Sequence, residues 1–177
     1  MYLHPIRDQD LELVAGWLTQ PENYQWLHFG QGVQQLTSVS LKVMLAKKIH
    51  ELRIFGEDRE SPAGVVALSD INSVFENATL WYVLGDKSQA GKGLTTRAAR
   101  KMVTEGFDDL NLTSIYAWAV QENKPSVKVL TYCGFRFIGR RRKGHRINGE
   151  FKDVLLFDLL SDENETITKM EEHVAHK

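Results

Sequence analysis

Cysteine is nearly absent from the sequence, and its scarcity excludes two kinds of architecture. Cys133 is the only cysteine, so the chain cannot form an internal disulfide, and a lone thiol cannot build a zinc site. Because Cys133 stands directly before Gly134 at a predicted helix end, we expect a buried structural thiol rather than a nucleophile. We expect no metal in this protein.

Long apolar runs and a strong net charge are missing as well. No window approaches the roughly 20 uninterrupted apolar residues of a membrane-spanning helix, and residues 1–7 lack the pattern of a secretory signal. The formal net charge of −1 argues against binding nucleic acid through bulk electrostatic attraction. We therefore expect a cytoplasmic protein that binds neither membrane nor nucleic acid. The basic run Arg140–Lys143 is a local exception, either a phosphate-binding surface or a solvated strand end.

Internal repeats, low-complexity tracts and flexible linkers are also lacking. A chain of 177 residues without such features fits one domain. Hydrophobic residues make up 42% of it and charged residues 25%, which is typical of a globular protein with a substantial core. We expect a single domain at 1–160 followed by a polar tail at 161–177.

Hydrophobic periodicity predicts an α/β (α+β) fold. The order is a strand, two helices, three strands, a helix, a strand, a helix and a terminal hairpin, which indicates a mixed sheet covered by helices. The predicted strands are Tyr2–Arg7, Leu52–Gly56, Ala63–Ser69, Ala78–Leu84, Ser114–Val120, Phe135–Arg141 and Phe151–Leu160. The predicted helices cover about 11–18, 39–51, 94–107 and 124–133, and residues 22–38 are predicted as an aromatic loop.

The strongest functional signal is a glycine-bearing loop between a predicted strand and helix. Glycine lets the backbone approach a ligand closely, and successive N–H groups at a helix start bind phosphate oxygens with help from the helix dipole. The loop fits neither the P-loop nor the dinucleotide-binding glycine pattern. An ordinary glycine turn that caps a helix is the alternative. The segment consists of Gln89, Ala90, Gly91, Lys92, Gly93, Leu94, Thr95 and Thr96.

A second motif lies downstream, where Asn123, Ser126 and the closing Gly134-Phe135 bound a predicted helix. Together the loop and this helix resemble the GNAT superfamily of N-acetyltransferases, over about residues 2–160. The resemblance implies a mixed, mostly antiparallel sheet of about seven strands flanked by about four helices. It also implies acetyl-CoA as co-substrate and direct acetyl transfer to a primary amine.

The resemblance further implies which residues hold CoA. In the family, a strand such as Leu80–Leu84 splays from its neighbour and lends backbone groups to the pantetheine arm, and the loop grips the pyrophosphate through main-chain N–H groups. The usual loop begins with Gln or Arg, whereas this chain has Ala90 there, so we expect Gln89 or Lys92 to substitute. Outside the loop, the implied CoA-binding residues are Tyr82, Val83, Leu84, Asn123 and Lys128.

The catalytic residues are expected at two positions. Many members of the family protonate the leaving thiolate with a tyrosine four residues before the helix-ending glycine, where this chain has Leu130. Ser126 is the better candidate for the acid, with simple helix capping as the alternative. Tyr132 projects from another side of the helix and is interpreted as a packing residue. Histidine titrates near neutral pH, and His145 is the first choice for the general base, with a solvated position in the basic run as the alternative.

The amine acceptor is expected to meet the variable parts of the chain. Trp26 and Phe29 are able to stack on a sugar or another ring, with core burial as the alternative. Asp70 and Glu76, near a strand end and the next strand start, are further substrate-side candidates that would act as a base through water.

Several functions stay open at this point. We favour a small-molecule amine such as an amino sugar over a protein N-terminus. An acyl-CoA-binding sensor without catalysis and an ATP-binding module are the other hypotheses, and a homodimer is the assembly that we consider.

Overall fold

The computed structural model describes residues 1–28 and 36–164. Within these residues the chain forms seven strands, five named α-helices, two short 3-10 helices at Asp8–Asp10 and Lys87–Gln89, and a helical segment at residues 161–164. The strands are β1 (Tyr2–Pro5), β2 (His50–Gly56), β3 (Pro62–Asn72), β4 (Asn77–Leu84), β5 (Ser114–Val120), β6 (Arg136–Ile147) and β7 (Glu150–Leu160). The helices are α1 (Leu11–Thr19), α2 (Pro21–Tyr24), α3 (Ser38–Ala46), α4 (Leu94–Asp108) and α5 (Lys124–Tyr132).

The strands form one mixed sheet in the order β1-β2-β3-β4-β5-β7-β6. All neighbours are antiparallel except β4 and β5, which run parallel. These two strands pair only from Asn77↔Ser114 to Thr79↔Tyr116, and their remaining residues are unpaired with each other. The sheet therefore opens between the carboxyl-terminal halves of β4 and β5.

Helices cover both faces of the sheet, and each face has its own core. On one face α4 buries Ala98, Ala99, Met102 and Val103, an apolar stripe at helical spacing, against β3, β4 and β5. On the other face α1 and α3 pack on β2, β3 and Val83 of β4. Because side chains alternate along a strand, successive residues of β4 and β5 point into opposite layers.

The predicted fold class is confirmed, and the differences from prediction lie at element boundaries. The predicted helix 39–51 is wrong at its end, because α3 stops at Ala46 and β2 begins at His50, where pairing with Ser69 of β3 overrides helical periodicity. The predicted loop 22–38 contains the end of α2, which starts at Pro21, a residue suited to the first turn of a helix.

The remaining elements follow the sequence closely. The β6–β7 hairpin turns at Asn148 and Gly149, both with positive φ, as the Asn-Gly dipeptide predicts. Cys133 is 3% exposed, which confirms the predicted buried thiol. Of the predicted polar tail, residues 161–164 are helical, and residues 165–177 lie outside the described part. No helix in the described ranges is both long enough and apolar enough to cross a membrane.

Candidate active site

A cavity of about 530 Å³ lies where β4 and β5 separate. Its walls come from β4, the glycine loop, α5 and α2, so it crosses the gap in the sheet. The lining residues are Glu22, Asn23, Trp26, Leu27, Tyr82, Val83, Leu84, Lys87, Gln89, Ala90, Gly91, Gly93, Leu94, Thr95, Thr96, Asn123, Pro125, Ser126, Lys128, Val129 and Tyr132. Most residues that the sequence predicts to hold CoA thus share one cavity.

The glycine loop presents backbone donors to this cavity. Gly91 and Gly93 have φ of +81° and +70°, a region that glycine occupies without steric cost. The first intrahelical bond of α4 runs from Arg97 N to Gly93 O at 3.1 Å, so the N–H groups of residues 94–96 precede it. A helix start with unpaired N–H groups favours negative charge, which fits the pyrophosphate of CoA.

The lysines around the loop have different surroundings. The Lys92 ammonium donates to Gln89 Oε1 at 2.8 Å and lies 3.7 Å from Glu57 Oε1, and Lys92 does not line the cavity. Gln89 does line it, as do Lys87 and Lys128. Of Gln89 and Lys92, the two residues expected to replace the usual Gln or Arg of the loop, only Gln89 lines the cavity.

Lys87 joins two walls of the cavity, a contact that sequence reasoning missed. Its ammonium donates to Asn23 Oδ1 and, at 2.6 Å, to the carbonyl of Leu84. Burial lowers the pKa of Lys87, and the more distant charge of Glu22 opposes this shift. Asn23 also donates to Trp17 O at 2.8 Å, so α1, α2 and the end of β4 are held together. No local signal reveals this pair, because 64 residues separate its members.

Ser126 faces the cavity from the first turn of α5. Asn123 caps the helix, with Oδ1 accepting from Ser126 N at 3.3 Å. Ser126 is therefore not the capping residue, and its hydroxyl is bonded elsewhere: Ser126 Oγ lies 3.1 Å from the phenolic oxygen of Tyr82. Burial raises the pKa of Tyr82 well above its ordinary value.

The position that carries a tyrosine in many family members is unavailable for proton transfer here. Leu130 is 1% exposed and belongs to the core. Tyr132 is 55% exposed at the cavity edge, with Lys128 Nζ 5.4 Å from its ring centre, so the interpretation of Tyr132 as a packing residue is wrong. The Arg100 guanidinium donates to the Tyr132 carbonyl at the end of α5, with Nε at 3.1 Å.

A cluster of rings lies on the opposite face of the sheet. Ala117 and Ala119 of β5 belong to the α4 side of the core, so Trp118 between them points to the α1 side. The Trp118 ring centre lies 6.0 Å from that of His145 and 6.4 Å from that of His28, and the two histidines are 6.4 Å apart. We call these three residues the ring cluster. The sequence singles out His145, places His28 only within the predicted aromatic loop at 22–38, and does not single out Trp118.

His145 is held by the backbone of the segment after α2. Its Nε2 lies 2.8 Å from the carbonyl of Gln25, and because a carbonyl only accepts, Nε2 carries the proton of this bond. In the neutral ring Nδ1 is then the atom with a free lone pair. His145 does not line the cavity itself, but its partner Gln25 directly precedes Trp26, which does.

The other substrate-side candidates are spread over the molecule. Trp26 lines the cavity. Asp70 is exposed on β3 with a φ of +55°, Glu76 is exposed in the β3–β4 turn, and neither lines the cavity. Phe29 lies outside the described residues. Over residues 1–28 and 36–164, no group of three His, Cys, Asp or Glu side chains is placed to hold a metal ion.

A mixed sheet that opens beside a glycine loop at a helix start defines a class of enzymes that bind an acyl-CoA and transfer its acyl group. Residues 1–136 match the family model of the acetyltransferase (GNAT) domain, and the chain belongs to this family. It is accordingly an N-acetyltransferase, with acetyl-CoA as the donor that the family uses. The resemblance found in the sequence is confirmed, and the ATP-binding alternative is set aside.

Relatives with different acceptors share this fold. A spermidine N(1)-acetyltransferase of Escherichia coli is 32% identical over 157 residues, covering 87% of this chain and 76% of that protein. Spermidine N-acetyltransferase from Vibrio cholerae, solved with CoA and spermine, superposes with a TM-score of 0.81 at 20% identity, covering 92% of this chain and 96% of that one. A ribosomal-protein-S5-alanine acetyltransferase from Vibrio fischeri gives 0.75 at 23% identity, covering 90% and 92%. The family thus establishes the reaction but leaves the amine open.

Proposed function

We propose that this enzyme acetylates the primary amine of a small, ring-bearing molecule such as an amino sugar, rather than a polyamine or a protein N-terminus. The observation that carries this proposal is the ring cluster. The segments that carry its two histidines contain few carboxylates. Two imidazoles and an indole offer flat apolar faces with polar edges, which suit the face of a sugar ring.

The charge distribution supports a substrate that is not a polycation. The sequence has no Asp or Glu between Glu22 and Glu51, a stretch that includes His28. The β6 strand, which carries His145, has six Arg and Lys residues and no carboxylate. Among the described residues that line the cavity, Glu22 carries the one carboxylate, whereas Lys87 and Lys128 carry ammonium groups. Like charges repel, so a polyamine with several ammonium groups would meet an unfavourable potential here.

The proposed chemistry uses one residue from each face of the sheet. On the acceptor side, His145 Nδ1 takes a proton from the attacking nitrogen while Nε2–H stays bonded to Gln25 O. On the other side, Ser126 faces the sulfur of the thioester and stabilises the thiolate as the C–S bond breaks. The gap between β4 and β5 lets the acceptor approach the acetyl group from the opposite face.

A comparison of acceptors tests the proposal. Release of CoA thiol is measured with saturating acetyl-CoA and four amines: glucosamine, a nucleotide-linked amino sugar, spermidine and a peptide with a free N-terminal alanine. We expect the highest kcat/KM with one of the amino sugars. Faster turnover of spermidine or of the peptide overturns the proposal, and tight CoA binding without thiol release on any amine favours the sensor.

A further inference from the structure

Tyr82 of β4 and Ser126 of α5 are bonded to each other inside the cavity. The Tyr82 hydroxyl lies 2.9 Å from the Ser126 carbonyl and 3.1 Å from Ser126 Oγ. A carbonyl only accepts, so the single phenolic proton is committed to it, and the Ser126 hydroxyl must then donate to the phenolic oxygen. In this arrangement the Ser126 proton points at Tyr82 and is not free for another acceptor.

We propose that Tyr82 is a positioning residue that switches Ser126 between two hydrogen-bonding states. When the Tyr82 O–H rotates from the Ser126 carbonyl to Ser126 Oγ, the hydroxyl proton of Ser126 is released to donate to the thiolate of the departing CoA. This inference rests on the proposed function, because it concerns how the leaving thiolate is stabilised in the same reaction.

The geometry makes the switch easy. Both acceptors of the phenol belong to one residue and lie at hydrogen-bonding distance, so rotation about a single C–O bond exchanges them. Asn123 fixes the Ser126 backbone by capping the helix, and this keeps both acceptors in place. A hydroxyl that accepts one hydrogen bond becomes a stronger donor in the next. A chain from Tyr82 through Ser126 to the thiolate therefore stabilises the thiolate more than Ser126 alone does.

Two further observations support a role for Tyr82. Burial raises the pKa of Tyr82, so its phenol keeps its proton at neutral pH and remains a donor. The family's usual acid position is occupied by the buried Leu130, whereas Ser126 and Tyr82 both line the cavity.

The proton balance needs no ionisation of either hydroxyl. As the C–S bond breaks, its electron pair stays on sulfur, and Ser126 donates a hydrogen bond to the resulting thiolate. The proton lost by the amine passes to His145 and on to solvent, and solvent returns one proton to the thiolate. Tyr82 and Ser126 begin and end the cycle protonated.

The test measures the thiol of bound CoA directly. In the binary complex with CoA, the ultraviolet absorbance of the thiolate is followed against pH for the unaltered enzyme, Tyr82→Phe, Ser126→Ala and the double variant. We expect the lowest thiol pKa in the unaltered enzyme, a higher value in Tyr82→Phe, and the highest in Ser126→Ala. Because Tyr82 acts through Ser126, the double variant should match Ser126→Ala.

Turnover gives a second readout. Loss of one neutral hydrogen bond lowers kcat by about three- to tenfold in Tyr82→Phe, while the KM for acetyl-CoA stays within about twofold. Tyr116→Phe is the matched control, since it also removes one phenolic hydroxyl, but from a ring that is 41% exposed and does not line the cavity. It should leave both readouts unchanged.

Specific results overturn the inference. A normal thiol titration in Tyr82→Phe overturns it, and so does an effect of Tyr82→Phe that adds fully to that of Ser126→Ala. A change in CoA affinity alone would assign Tyr82 a purely structural role. The titration requires no amine, so an enzyme that acetylates no amine refutes the proposed function and leaves this readout intact.

Discussion

The two faces of the sheet contribute to the active site in different ways. On the α4 and α5 face, the site consists largely of backbone: glycines with positive φ and the first N–H groups of a helix. On the α1 and α3 face, the proposed acceptor site consists of side chains, with His28, Trp118 and His145 coming from three separate segments. Backbone donors tolerate changes of side chain, which explains how Ala90 stands at a position that usually carries Gln or Arg. A cluster of side chains does not tolerate such changes, so substitutions among His28, Trp118 and His145 should have larger effects than substitutions in the loop.

Removal of the His145 imidazole is expected to have the largest effect. A positioned general base contributes about 10²–10⁴-fold, so His145→Ala should lower kcat by that order while leaving the Kd for CoA unchanged. Steady-state kinetics and calorimetry measure the two quantities. His4→Ala is the control, because the His4 ring lies on the edge strand β1, where it contacts the Pro5 carbonyl and the Tyr2 ring. A loss of less than tenfold in His145→Ala would remove His145 from the mechanism.

A side chain at Gly93 should produce the opposite pattern. At φ of +70°, alanine costs about 1–2 kcal/mol and disturbs the first turn of α4. We expect Gly93→Ala to weaken CoA binding by about tenfold in calorimetry, with little change in the KM for the amine. Gly149→Ala introduces similar strain at φ of +84° in the β6–β7 turn and should not alter CoA affinity. Equal losses in both variants would mean that strain, rather than the loop, weakens binding.

Truncation of the Trp118 ring should affect the acceptor alone. An aromatic contact is worth about 0.5–1.5 kcal/mol beyond its buried area, so Trp118→Leu should raise the KM for the amine by roughly two- to tenfold. The Kd for CoA should be unchanged, and Trp118→Phe should retain part of the contact. If both substitutions leave the KM for the amine unaltered, the ring cluster does not bind the acceptor.

The contrast between the faces also explains what could be predicted from the sequence. The loop at 89–96 is contiguous and follows a strand, so the residue types and their order indicate its conformation directly. Ser126 and Asn123 belong to one helix turn and are equally local. The gap beside β4 is implied by the resemblance to a family rather than by periodicity, and the order of the strands in the sheet was not predicted.

Residues brought together only by the tertiary fold escaped prediction. His28 and Trp118 are 90 positions apart in the chain, and only the packing of the segment after α2 against β5 makes them neighbours. Tyr82 was expected to contribute its backbone, because β4 does so in the family, and nothing local shows that its hydroxyl meets Ser126. The assignment of Asp70 and Glu76 to the substrate side stays a prediction, although neither residue lines the cavity.

The smallest expected effect concerns the pH dependence of stability at the start of β2. His50 begins β2 directly after α3, and its Nδ1 is buried without a hydrogen-bond partner among the described residues. Burial lowers the pKa of His50. The negative charge of Asp70 opposes this shift, and the positive charge of Lys47 adds to it. As the pH falls through the ordinary pKa of histidine, the unfolded chain therefore takes up a proton at this site before the folded chain does. The free energy of unfolding falls accordingly as the pH drops.

Substitution of His50 should flatten this dependence. We expect the Tm of the unaltered enzyme to fall by about 1–2 °C more than that of His50→Gln between roughly pH 7 and pH 5.5, as measured by calorimetry. The other five histidines are common to both proteins, so the difference in slope reports on His50 alone. Equal slopes would mean that burial of His50 has no energetic consequence. His50→Gln is also a control for the kinetics. If kcat falls on acidification in this variant as well, the fall does not come from destabilisation at β2.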